Sequence, residues 1–526
     1  MSTITIVNMI PQSLSGETNQ DSEPNLAVNP ANVNEIVATA FTPAPLGGAN
    51  APIYISTNRG ATWSLNTIVP GNGSFGTDDI TVAFGTSSGV LYAGTLNGNT
   101  VALNILRTSN FTAATPMTVL ESRASEDQPW TTAITVPVTG GTQDRVYIGN
   151  NDFNQPNGAT ATVDLSTNAA TAAPPAGFAP HDLETQATSS QDGPPVRLAV
   201  HSDGTVYAAF VRWTADASFP NFNFDIVLDR DDSWGSGAAP FKSLNNSIVA
   251  TNRFAKWNDI MGQERIGADL AIAVDPSNSS NVWITWCDRV GGASGTDWTL
   301  HVSRSTNRGQ TWSADVRTIT NAKNPALAVN SSGQVGLLYQ AYTGTNWNTN
   351  LELTSNAWAT AATTIALHTA SAATPTATFQ PYLGDYVRLL AVGTDFYGVF
   401  CGNNSPNLAN FPNGVSYQRN VNWNTHTLLS TDNVTPVAVS MDPFFFHYSE
   451  APIIRIPTPI TRAPSPILRE PVVRQPIIPE PISPRPVNPE PVAPEARPPA
   501  QADPGAPGGA VPAAGDPAAG QPNVEL

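Results

Sequence analysis

The chain has 526 residues, with 24 Lys plus Arg against 41 Asp plus Glu and a net charge of −17. Only Lys242, Lys256 and Lys323 are lysines, so no basic stripe can neutralise phosphates, which argues against nucleic acid and anionic membrane surfaces as partners. No apolar run is long enough for membrane insertion, and two cysteines, Cys287 and Cys401, cannot build a disulfide framework or a thiolate zinc site within this chain.

The first residues, MSTITIVNMIPQSLSGE, lack the basic and apolar regions of a secretion signal. A soluble protein is expected, its location left open between the cytoplasm and the cell exterior or surface by a non-classical route. From Asn25 one pattern recurs: an apolar strand, a turn of Pro, Asn, Asp or Gly, and a second apolar strand. Its copies are NLAVNPANVNEIVATAF from Asn25, DITVAFGTSSGVLYAGTL from Asp79 and TAITVPVTGGTQDRVYIGN from Thr132. VRLAVHSDGTVYAAFVRW follows from Val196, DLAIAVDPSNSSNVWITWCD from Asp269, ALAVNSSGQVGLLYQAY from Ala326 and VRLLAVGTDFYGVFCGN from Val387. Each is followed by a third strand, from PIYIST at Pro52 to GVSYQRN at Gly414, and usually by a fourth.

Alternating apolar residues between Gly, Asn, Asp, Ser and Pro turns, with no helical period, predict an all-β chain. Two nonapeptides, STNRGATWS from Ser56 and STNRGQTWS from Ser305, share eight of nine residues and lie 249 residues apart. Placed in units one and five they give about 62 residues per unit, and about seven units fill residues 1–450. Radial repetition of four-stranded sheets is a β-propeller, here of seven blades. Beyond it, 451–499 is Pro-rich and predicted to be an extended polyproline II linker, and 500–526 is an Ala/Gly/Pro-rich tail expected to be disordered.

The nonapeptides resemble the Asp box, or BNR repeat, S-x-D-x-G-x-T-W of the sialidase-like propeller superfamily. Ser56, Asn58, Gly60 and Trp63 match it in the first copy, and Ser305, Asn307, Gly309 and Trp312 in the second, with Asn in both at the usual Asp. The resemblance implies a turn between the outer two strands, away from the axis and architectural in role. Members of the superfamily include glycosidases, sugar-binding lectins and proteins with no known chemistry, so the fold does not settle the function. A hydrolytic sialidase would carry Arg-Ile-Pro on an early strand, whereas the sole copy here, Arg455-Ile456-Pro457, lies in the Pro-rich segment.

In a propeller, the starts of the innermost strands and the ends of the second strands converge on one face. Ligand-binding candidates there are Trp130, Arg197, Arg212, Trp213, Arg265, Arg289 and Arg388. Planar bidentate donors from several blades can hold a carboxylate, and the Asn-, Trp- and Phe-rich loops suit sugar hydroxyls and ring faces. Catalytic candidates are Asp127, Glu264, Tyr382 and Asp385, as a carboxylate pair or a tyrosine nucleophile activated by Glu264, with Tyr386 as another such tyrosine. The run DRDDSW from Asp229 lacks EF-hand spacing and falls where blade 4 needs its own outer turn. No metal or cofactor is expected. The reading is a glycan-recognising propeller whose partner is a glycan or glycoconjugate. The alternatives are an exo-glycosidase of sialidase type, or a non-catalytic interaction module whose Pro-rich tail engages a protein.

Overall fold

The seven apolar hairpins form the inner halves of seven sheets. A computed structural model describes residues 2–450 except 42–48, 72–76, 78, 98–101, 155–159, 176, 185–195, 215–220, 257–268, 293–296 and 376–382. Met1–Ile453 forms one unit of the chain. Blade 1 runs Ser22–Val28, Ile36–Phe41, Asn50–Ser56 and Ser64–Pro70, each strand antiparallel to the one before. Blades 2 to 6 repeat this four-stranded order from innermost strands Ile80–Phe84, Glu126–Val138, Arg197–Val200, Leu270–Asp275 and Ala322–Val329. The architecture is an all-β, seven-bladed propeller.

Blade 7 closes the ring differently from the sequence expectation. Arg388–Val392 and Asp395–Asn403 pair as foreseen, but the third strand is Met441–Ser449, not the segment at Gly414. The fourth strand is N-terminal, Thr3–Asn8, with Thr3 opposite Ser449 and Asn8 opposite Phe444. Ser416–Tyr417, from the Gly414 segment, adds only a short parallel edge outside it. Joining the N-terminal strand to the C-terminal one within blade 7 closes the ring. Buried Arg419 reinforces the closure: Nη1 lies 3.0 Å from Asp442 Oδ2 and 3.1 Å from Glu17 Oε1, and Nη2 donates to the Ser15 and Glu17 carbonyls.

The core is a ring of apolar layers between neighbouring sheets. Ile53 and Ile68 of blade 1 pack with Val82 and Leu91 of blade 2, and Leu26 and Tyr54 with Tyr397 and Phe445 of blade 7. Cys287 and Cys401 are buried free thiols.

The hairpin between the third and fourth strands uses one hydrogen-bond scheme in several blades. In blade 1, Ser56 Oγ accepts from Gly60 N at 3.0 Å and Asn58 Oδ1 from Thr62 N at 2.9 Å. In blade 5, Ser305 Oγ accepts from Gly309 N at 2.9 Å and Asn307 Oδ1 from Thr311 N at 3.0 Å. Asp231 of blade 4 accepts from Ser233 N and Gly235 N, and Thr354 of blade 6 from Trp358 N, so DRDDSW spends its Asp231 carboxylate on a turn. Gly60 has φ +81°, and a Cβ there would meet the Phe445 ring at 2.1 Å, which requires glycine. The arginine before each nonapeptide glycine reaches back to the preceding blade, Arg59 to Asp395 at 3.1 Å and Arg308 to Asp232 at 2.7 Å.

A candidate functional site at the propeller axis

Alternating strand direction puts the start of every innermost strand on one face, opposite the outer hairpin turns. In blades 1, 3 and 6 that start carries the same bulge. Register jumps from Ser22 to Asn25, from Asp127 to Trp130 and from Lys323 to Ala326, so two residues oppose one on the neighbouring strand. The first extra residue is a non-glycine in the left-handed region, Glu23 at φ +52°, Gln128 at +53° and Asn324 at +50°, and each is followed by proline. Left-handed backbone at residues other than glycine costs on the order of 1–3 kcal/mol and collects at functional sites. Gln128→Gly is therefore expected to raise stability by about 1 kcal/mol in a denaturant titration. A loss of that size would show that the turn is unstrained or that the side chain is needed for packing.

The blade 3 bulge aims Trp130 at the axis, where it gathers the chemistry of blades 4 and 7. The guanidinium carbons of Arg197 and Arg388 lie 3.6 and 4.7 Å from the Trp130 ring centre, and Tyr386 meets the same ring edge-on at 5.6 Å. Trp130 is only 4% exposed, so it serves as a platform for two cations and has no face left for a sugar ring. Arg197 is paired with a carboxylate: Nη2 donates to Asp269 Oδ1 at 3.0 Å and Nε to the Leu270 carbonyl at 3.1 Å, while Nη1 is buried without a hydrogen-bond partner. Arg388 differs. Its Nε is buried without a hydrogen-bond partner, and no carboxylate pairs with it among the described residues. Burial first, then repulsion from Arg197, pushes its pKa down to about 9. Both arginines line a cavity of about 20 Å³, room for roughly one water-sized group.

Tyr386 donates its hydroxyl to Asp79 Oδ1 at 3.1 Å. Burial and the neighbouring Asp79 and Glu23 raise its pKa well above the ordinary value, so it keeps its proton and is a poor nucleophile. Asp127 is partly buried, and its Oδ1 accepts from the Gln128 amide at 2.7 Å. Asp385 is buried one residue before Tyr386. Glu264, Arg265 and Tyr382 lie outside the described residues. Arg212 is drawn into a separate buried network with Glu184 at 2.7 Å and Asn246 at 2.6 Å, and Trp213 packs on Phe222 at 4.3 Å. Arg289 is partly buried near the end of the second strand of blade 5. Thus Trp130, Arg197 and Arg388 converge. The bulge that organises them escaped the sequence reading, although its signal, a proline just inside the strand in EPNLAV, QPWTTAI and NPALAV, is visible once aligned.

A second ionic cluster lies toward the rim of blade 5. His301 Nδ1 is 2.8 Å from Asp315 Oδ2 and Nε2 is 3.2 Å from Asp288 Oδ1, with the imidazole stacked on Trp286. Burial opposes the charged ring, but hydrogen bonds to the two carboxylates outweigh it and raise the pKa to about 9. A raised folded pKa contributes stability fully below the ordinary value near 6.5, and that stability is lost as pH rises through about 9. The difference in Tm between wild type and His301→Gln is expected to shrink steadily between about pH 6 and pH 10. A constant difference would mean that the imidazole is neutral throughout.

The chain matches no family model and no curated protein in sequence. Among solved structures, the phage phi92 endosialidase is similar at 12% identity and a TM-score of 0.41, over 88% of this chain and 72% of that one. A Penicillium chrysogenum α-L-arabinanase complexed with arabinobiose is similar at 10% identity and a TM-score of 0.40, over 84% and 98%. Drosophila semaphorin 2a is similar at 9% identity and a TM-score of 0.42, over 74% of each chain.

Proposed function

We propose that this protein recognises an acidic glycan at the propeller axis, with the sugar carboxylate taken by Arg388. The observation that carries the reading is the Arg388 guanidinium, held on Trp130 beside a second cation with its Nε unsatisfied and no carboxylate partner among the described residues. A planar guanidinium in that state favours a carboxylate, which forms charge-assisted hydrogen bonds and relieves the repulsion from Arg197. The cavity admits only the anionic group, so the rest of the sugar would lie above it.

Binding is the reading put forward; for turnover by a tyrosine nucleophile, Tyr386 is poorly suited, its hydroxyl being buried and donated to Asp79. A glycan array with sialylated, uronic-acid and neutral arms, run beside a fluorogenic glycoside panel, tests this. Acid-selective binding without hydrolysis is expected. Hydrolysis would make the protein an exo-glycosidase, and silence in both assays would favour an interaction module.

A further inference from the structure

On the rim, away from the axis, an open groove of about 540 Å³ runs between the start of the outermost strand of blade 5, Arg317–Thr320, and the outer turn of blade 6. Its volume falls in the range of small-ligand sites. Trp358 stands in its wall in an unusual way. The outer turns of blades 1, 4 and 5 place Gly60, Gly235 and Gly309 at φ +81°, +76° and +78°, whereas blade 6 places Trp358 there at +60°. A bulky residue in that region is an outlier that the surroundings must enforce. Here they do: the backbone amide donates to Thr354 Oγ1 at 3.0 Å, and the indole N–H donates to Glu352.

The charges around the groove cancel locally. Arg317 forms two parallel bonds to Glu352, at 2.9 and 3.0 Å, and Asp315 is matched by His301. No unbalanced charge remains to select an ion. What the groove offers is a fixed, partly exposed indole, the remaining N–H groups of Arg317, the remaining lone pairs of Asp315 and the Thr318 hydroxyl. A sugar ring has the complementary surface, with C–H faces to lie on an aromatic and a rim of vicinal hydroxyls for paired polar side chains. We propose that this groove is a second carbohydrate site, separate from the axis, that binds one or two units of a neutral oligosaccharide.

The test is saturation-transfer NMR and calorimetry on the full chain with neutral gluco-, galacto-, manno-, xylo- and arabino-oligosaccharides. At least one series is expected to bind, to lose ten-fold or more of its affinity in Trp358→Ala, and to bind Arg388→Gln unchanged. Because Trp358→Ala alters packing as well, exposed Thr318→Trp serves as a second variant that fills the groove and should also abolish binding. Absence of binding by every series would overturn the proposal, as would binding that survives Thr318→Trp. A neutral sugar lost in Arg388→Gln but retained in Thr318→Trp would place it at the axis and also overturn it. Failure of acidic glycans to bind would bear on the axis alone.

Discussion

Arg388→Gln is expected to weaken acidic-glycan binding by about 1.5–3 kcal/mol, some ten- to a hundred-fold, while the melting temperature holds or rises slightly. The side chain has no carboxylate partner to abandon among the described residues, and its removal ends the repulsion with Arg197. Arg197→Gln should behave oppositely. Arg197 and Asp269 are both buried and paired, so deleting one strands the other and costs about 3–5 kcal/mol of fold stability. Two arginines on one tryptophan thus separate into a ligand group and a structural group. Calorimetry with sialic and glucuronic acid, beside thermal unfolding, distinguishes them; equal stability losses in both variants would return Arg388 to a structural role.

Trp63→Ala is expected to destabilise the propeller by about 3–5 kcal/mol without changing glycan affinity. Trp63 is 4% exposed, its ring lies 5.2 Å from that of Phe445 across the seam between blades 1 and 7, and its indole N–H donates to the Gly60 carbonyl at 3.0 Å. Removing it opens a cavity at the closure of the ring. Trp312 occupies the matching place in blade 5 but is partly exposed, so Trp312→Ala should cost only about 1–2 kcal/mol. Denaturant unfolding reads the difference; equal costs would show that exposure does not govern these sites.

The inner hairpins were legible in the sequence because their signal is local, an alternating run, a turn and a second run. Ring closure was not. Thr3–Asn8 pairs with Met441–Ser449 across the whole propeller, and no local pattern announces a strand partner that distant. The segment at Gly414 had the alternation of a third strand and became a short edge because MDPFFFHYS, far more apolar, took the inner position. At the axis, Arg197 and Arg388 were visible through their shared offset in VRLAV and VRLLAV, but Arg212, with the same chemistry, was captured by Glu184. Pairing of that kind depends on which side chains meet across blades, which sequence spacing does not encode. Trp358 was missed because a tryptophan at the glycine position breaks the nonapeptide pattern that identified the other turns.

The most direct measurement is a crystal structure of the full chain soaked with N-acetylneuraminic acid or glucuronic acid. The account predicts a sugar carboxylate within about 3 Å of the Arg388 guanidinium, above an unchanged Trp130–Arg197–Asp269 arrangement. A sugar acid bound elsewhere, with Arg388 paired to a carboxylate of the protein, would contradict it.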